Sequence, residues 1–507
     1  MSINKKIAKN SLILYGRLIV TSIIGLYSSR LVLQELGIND FGLYGIVGGI
    51  VTLLNFMNSS MITTSNRFIA VELGKKENQN INKIFNTVLI IHILFAFVIL
   101  IFGEILGGWY IRNHLNIEVG RISDALFVLH FSLFSAVLST ILVPYQGLLT
   151  AFEKFNVKTI LEILQSALHL LIIVIISFLV VNKLRMYASL VFITVVIVFI
   201  FHVVYLKKKF KKETAWKLNR KKSDYKEVSV FFGWSMFYVI GSIFSKQGAE
   251  LMLNSFFGTV LNAAFAIARQ VMQMVFSFVT NLNQAAIPQI MINFGAGKQE
   301  KSLTLIYSLS KYTFFIMYIV SLPLLLSINP LLELWLDEVP KYSSIFASLM
   351  IIHALICCLE SGFDAAIDST GNIKKTKIYF NIITISTLPI IYFLYYFGFP
   401  PFTLTIVAIV AEIVFLNVQL KILQNLLNLN IKDYFRKTII PVGTVVAITL
   451  PQIYLRTLID QSFLSTIIFS SISVISTFFT ILFLGLNFKE RNVVLVQLNN
   501  IKQKYIK

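Results

Sequence analysis

The sequence predicts an all-α, polytopic membrane protein of about 14 transmembrane helices: two six-helix lobes related by a pseudo-two-fold axis along the membrane normal, plus two C-terminal helices. Three observations carry that prediction. Hydrophobic residues make up 56% of the 507 residues, charged residues only 13%, and mean hydropathy is +0.78. A soluble chain of this length could not hide so much apolar surface. Apolar runs of about 20 residues, the length a helix needs to cross hydrocarbon with its backbone polar groups bonded internally, recur from end to end. Finally, the layout of the first six runs returns in the next six at an offset of about 221 residues.

In chain order, the first lobe (1–206) holds spans near 10–33, 41–64, 82–106, 122–145, 159–181 and 186–206. The first of these follows Lys5, Lys6 and Lys9 as a secretory signal would. Arg17 interrupts it and no small-residue cleavage site follows, so it reads as an uncleaved span. A basic cytoplasmic linker covers 207–227. The second lobe (228–424) holds spans near 228–254, 259–285, 302–327, 343–367, 377–397 and 402–424. Residues 425–507 supply two extra spans, near 437–458 and 464–486, and a cytoplasmic tail.

The net charge of +20 raises nucleic acid as a partner, but its distribution points elsewhere. Assigning alternate connections to one side gathers most Lys and Arg there, while Arg112, Arg121, Lys183, Arg185, Lys341 and Arg456 fall on the other. This is the positive-inside pattern, and it predicts a multi-pass protein with both termini cytoplasmic. Anionic inner-leaflet lipid is the expected partner of these charges, and no nucleic acid. Adjacent Cys357 and Cys358 lie in a predicted span, where a structural disulfide is implausible.

The repeat reaches single residues. Gly37 aligns with Gly258, Gly42 with Ala263, Tyr44 with Phe265, Ile46 with Ile267 and Gly74 with Gly295. An offset of 220 then pairs Thr150 with Thr370, Ala151 with Gly371 and Lys154 with Lys374. Equivalent positions are six helices apart, an even number, so both lobes share one orientation, and a substrate cavity is expected between them.

Polar or small residues recur at spacings of three and four, hence on one helical face, in the first two spans of each lobe. These faces read Arg17, Thr21, Gly25, Ser28; then Thr52, Asn55, Ser59, Thr63, Asn66. In the second lobe they read Ser235, Ser242, Lys246, Glu250, Asn254; then Asn262, Ala266, Arg269, Gln273, Ser277, Thr280, Gln284. A charge at the bilayer centre costs roughly 2.5 to 3.5 kcal/mol on insertion scales, so Arg17, Lys246 and Arg269 need a compensating environment. They are the expected lining of a cationic cavity for an anionic substrate, with Asn55, Asn66 and Gln273 beside them. Lys246 and Glu250, four apart, are placed to pair, leaving Arg17 and Arg269 as the freer cations. The larger charge of the second lobe puts the anionic group nearer that lobe.

The acidic residues singled out within spans are Glu250, Glu360, Asp364 and Glu412, and Glu250 and Glu412 are the candidates for ion coupling. His92, His130, His169, His202 and His353 fall singly on separate spans and read as packed or interfacial rather than as ligands. No metal site and no cofactor is expected beyond H+ or Na+ coupling. The run from Gly295 to Gln299 resembles a phosphate-binding loop, but Ile292 and Gln299 stand where glycine and Ser or Thr are required. No HExxH, cysteine cluster or GxSxG occurs, and no large extramembrane segment is present, so the chain is not expected to be an enzyme.

The segments LGINDFGLYGIVGG (Leu36 to Gly49) and NRFIAVELGKKE (Asn66 to Glu77) resemble Wzx-like polysaccharide flippases, which export O-antigen or capsule repeat units. These belong to the multidrug, oligosaccharidyl-lipid and polysaccharide (MOP) exporter superfamily. The resemblance implies movement of an undecaprenyl-diphosphate-linked oligosaccharide from the cytoplasmic to the periplasmic leaflet of the bacterial inner membrane. Alternating access through a cationic inter-lobe cavity is the implied mechanism, and other polysaccharide-assembly proteins are the implied partners. A cation-coupled multidrug exporter on the same fold is one rival, expected to carry acidic residues that the first span lacks. A lipid II flippase is another.

Overall fold

A computed structural model of the chain describes residues 3–75, 80–115, 119–178, 182–336, 338–458 and 462–505; within them, the side chains at 3–5, 26, 29, 33, 38, 49, 50, 52–57 and 497–505 are not described. The principal helices are α1 (Ile3–Gly74), α2 (Ile81–Asn113), α3 (Ile122–Ala151), α4 (Phe155–Ser177), α5 (Lys183–Lys209), α6 (Lys222–Phe257), α7 (Thr259–Gly295) and α8 (Gln299–Leu326). They continue as α9 (Ser343–Leu359), α10 (Phe363–Thr370), α11 (Lys374–Tyr396), α12 (Thr403–Leu427), α13 (Ile431–Thr457), α14 (Phe463–Gly485) and α15 (Phe488–Tyr505). No strand occurs among the described residues.

Twelve described helices are long and apolar enough to cross a membrane, and the pair α9 and α10 makes a thirteenth if taken as one span. The predicted second span, 41–64, is helical as the later arm of α1 but does not figure among these, several of its side chains being undescribed. The span predicted as continuous at 343–367 is instead broken, α9 and α10 meeting at 43°. Gly362 sits at the break with φ 88°, a conformation that L side chains rarely adopt and glycine adopts freely.

The glycines matched by the repeat perform matching tasks. α1 breaks at Gly37, with φ 75° and ψ 169°, and Gly258, φ 81°, separates α6 from α7. An L side chain at such a positive φ costs roughly 1 to 3 kcal/mol. Within one residue of the 220 offset, α3 ends at Ala151 and α4 begins at Phe155, while α10 ends at Thr370 and α11 begins at Lys374.

The chain divides into two compact units, one of residues 1–240 and 291–298, the other of 241–290 and 299–507. Within the first, Leu43, Val47, Ile99, Leu129, Leu133 and Leu184 form a buried core. At its edge the end of α7 crosses the end of α1 glycine on glycine. A β-carbon on Gly74 would strike the carbonyl oxygen of Ile292, and one on Gly295 that of Val71. The repeat offset carries 71 to 292 and 74 to 295, so the contact is reciprocal.

The basic linker is fastened to α2 rather than loose. Asn82 donates to the carbonyls of Lys212, Glu213 and Ala215 at 3.0, 3.0 and 2.7 Å, and Lys83 pairs with Asp224 at 2.5 Å. In the second unit the two extra helices join the core. Val442, Val445 and Ile481 pack with Phe314, Phe315 and Ile351, and the Tyr318 and Thr449 hydroxyls share a 2.7 Å hydrogen bond.

Candidate functional site

In the first unit, α1 places Arg17 against α4, where its Nη1 donates to Glu162 Oε2 at 2.5 Å. The side chains are 15% and 28% exposed, so the pair is partly shielded from water and stronger than a surface ion pair. Lys158, one turn earlier on α4, lies within electrostatic range of both, and His202 of α5 within range of Lys158 and Glu162. Two cations thus face one carboxylate. Further along the same α1 and α4 seam, Gly25, Ser28, Tyr44, Ser166, His169 and Tyr187 line a cleft of about 420 Å³. Gly25 and Ser28 belong to the polar face the sequence picks out on the first span, and Ser166 and His169 follow Glu162 at helical spacing.

In the second unit the ion pairing differs from the sequence expectation. Arg269 of α7, rather than Lys246, pairs with Glu250 of α6. Lys246 is exposed and has no carboxylate within 4.0 Å among the described residues. A neighbouring guanidinium presents a forked donor to the carboxylate, whereas a lysine on the same helix reaches it only by bending along the surface. The freer cation is therefore Lys246, and Arg17 and Arg269 are the paired ones.

Along α7, Ala266, Gln273, Thr280 and Gln284 are exposed, while Ala264, Ala268, Val275, Val279 and Ala285 are buried. These buried positions are small or apolar, and the open side carries Gln273, Thr280 and Gln284 alongside Met274 and Phe278. In a membrane such a face is stable against water or a polar ligand and costly against acyl chains.

The remaining candidates separate. Asn66 is half-buried, its Oδ1 turned towards Gly147 of α3. The side chain of Asn55 lies outside the described residues. Glu412 of α12 faces His353 Nε2 of α9 at 3.6 Å and shares no partner with Glu250. His353 is thus not a solitary core histidine, nor is His130, whose Nδ1 lies 2.8 Å from Glu104. Sequence reasoning missed Lys158 and Glu162. Glu162 was visible as a carboxylate inside an apolar run, but its relation to Arg17 spans 145 residues and needs the fold.

A family model described as "Polysaccharide biosynthesis protein" matches residues 7–294, more than half of the chain. The chain belongs to the polysaccharide biosynthesis protein family. Its fold is that of MOP-superfamily transporters. A MATE mutant is 14% identical with a TM-score of 0.74, covering 84% of this chain and 97% of that one. An outward-facing multidrug resistance MATE family transporter of the MOP superfamily is 14% identical at 0.71, covering 83% and 94%. A MOP superfamily transporter from Pyrococcus furiosus, described as having a binding pocket of reverse polarity, is 13% identical at 0.69, covering 83% and 94%. No curated protein sequence matches. Arg17, Lys158, Glu162, Lys246, Glu250 and Arg269 all fall within the part that matches the polysaccharide biosynthesis family, and His353 and Glu412 fall outside it.

Proposed function

We propose that this protein is a flippase that moves undecaprenyl-diphosphate-linked oligosaccharide repeat units from the cytoplasmic to the periplasmic leaflet of a bacterial inner membrane, with both termini cytoplasmic. The carrying observation is a cluster in each unit where basic side chains outnumber the acidic one they face: Arg17 and Lys158 about Glu162, and Lys246 and Arg269 about Glu250. A diphosphate headgroup cannot cross hydrocarbon unaided, and polar faces bearing unmatched cations lower that barrier when exposed to each leaflet in turn. Arginine meets phosphate through its planar fork and lysine as a point charge. The exposed amides of α7 suit the sugar hydroxyls. Family membership supports the same substrate class.

In this mechanism Glu162 and Glu250 hold the guanidiniums in place until phosphate oxygens compete for them. An ion gradient supplies the drive, with Glu250 and Glu412 as the carboxylates available for H+ or Na+. The surplus cations also weigh against a multidrug exporter for cationic compounds, which calls for unmatched carboxylates in the same places.

The test is complementation of a flippase-null strain. Arg17→Ala, Lys246→Ala and Arg269→Ala are expected to impair surface-polysaccharide assembly while the variants reach the membrane at normal level. Full complementation by all three would overturn the proposal.

A further inference from the structure

On α9 and α12 the second unit gathers three side chains of metal-ligand type. The Nδ1 of His353 lies 3.8 Å from the Sγ of Cys357, one helical turn later on α9, and its Nε2 lies 3.6 Å from Glu412 on α12. One donor atom from each of the three lies within 4.8 Å of the others. From this juxtaposition we propose a site for a borderline-soft divalent cation of the zinc class, bound by His353, Cys357 and Glu412.

Donor chemistry selects the ion. Sodium, magnesium and calcium favour oxygen ligands, whereas one sulfur, one imidazole nitrogen and one carboxylate oxygen are the donors of zinc. Three protein ligands also leave a fourth tetrahedral position open. Binding releases the thiol proton, since the thiolate is the ligand.

A second observation favours a cation there. Glu360, just beyond α9, sets its carboxyl beside that of Glu412, and its Oε2 is buried without a hydrogen-bond partner. The nearby ammonium of Lys377 is engaged by Asp364 at 3.2 Å and Asp368 at 3.6 Å. Cys358 provides an internal control: it is buried and its Sγ contacts the Ala354 carbonyl at 3.2 Å, so it is held away from the cluster.

The site shares Glu412 with the proposed coupling carboxylates, so an occupied site would leave Glu250 for coupling; its failure is distinguishable from that of the flippase reading, because it can be assayed with no lipid-linked substrate. Protein purified in detergent without a polyhistidine tag would be titrated with Co2+ and followed by absorption, then displaced with Zn2+. Wild type and Cys358→Ser are expected to develop a thiolate-to-cobalt charge-transfer band at one ion per chain that Zn2+ abolishes and excess Na+ or Mg2+ does not. Cys357→Ser is expected to lack the band. Absence of the band in wild type, or its persistence in Cys357→Ser, overturns the site. Should Cys357→Ser not elute as a monodisperse species, His353→Gln and Glu412→Gln decide instead: both must weaken Co2+ binding, and unchanged binding in either overturns it.

Discussion

Arg17 and Glu162 form a partly shielded pair in a setting where a lone charge is costly, so removing one partner should hurt more than removing both. Glu162→Gln is expected to destabilise the detergent-solubilised protein by about 1 to 3 kcal/mol. The triple variant Arg17→Met, Lys158→Met, Glu162→Leu, which leaves none of the three charges behind, should recover most of that loss. Thermal melting by intrinsic fluorescence checks both, and a Glu162→Gln protein as stable as wild type would show that the pair contributes nothing. At Arg269 the prediction concerns geometry rather than charge. Arg269→Lys keeps the positive charge but loses the fork, and should transport more slowly than wild type yet faster than Arg269→Ala in a repeat-unit export assay. How much of the site was legible in sequence follows from these same residues. Arg17, Lys246 and Arg269 stood out because charges are rare inside spans. Their partners did not, because i, i+4 spacing is the one pairing a linear sequence displays, and it assigned Glu250 to Lys246. Arg269 on the neighbouring helix takes that carboxylate instead. Likewise His353 and Cys357 share an i, i+4 spacing, but Glu412 joins them only when α12 packs on α9.

Helices in this protein are positioned by glycines at a few decisive points. Where the ends of α1 and α7 cross, Gly74 and Gly295 each lie against the other helix's backbone, and a carbonyl oxygen cannot step aside as a side-chain tip can. Gly74→Val and Gly295→Val are therefore expected to abolish complementation and lower the melting temperature. Gly16→Ala, with nothing within 4 Å of its added β-carbon, should be neutral or stabilising by roughly 0.5 to 1 kcal/mol from helix propensity. Equal behaviour of the three would show that the crossing is not tight. The repeat made this contact partly legible: the sequence pairs Gly74 with Gly295 and Gly37 with Gly258, and the structure gives each pair one role. The break between α9 and α10 was not legible, because an apolar run carries no mark of a 43° bend except Gly362. The linker likewise reads as a string of basic residues, while the asparagines that fasten it, Asn82 and Asn86, sit more than a hundred residues earlier in an apolar helix.

At the scale of the whole molecule, the fold class was readable because hydrophobic length and the 221-residue echo are properties of the chain, independent of any side-chain contact. The balance of charge was not. Counting Lys246, Glu250 and Arg269 against Arg17 alone suggested a lopsided site favouring the second lobe, but Lys158 and Glu162 give the first unit a cluster of the same make-up, two basic side chains about one carboxylate. Both units are therefore expected to matter, and Lys158→Ala should impair export as strongly as Lys246→Ala. The most direct test is leaflet transfer in proteoliposomes, using a fluorescent polyprenyl-diphosphate oligosaccharide and an impermeant quencher added outside. Wild-type protein is predicted to move the lipid across the bilayer faster than protein-free vesicles do, and the combined Lys158→Ala, Lys246→Ala variant to fall to the protein-free rate. Transfer no faster than in empty vesicles, or undiminished transfer by the double variant, would contradict the account.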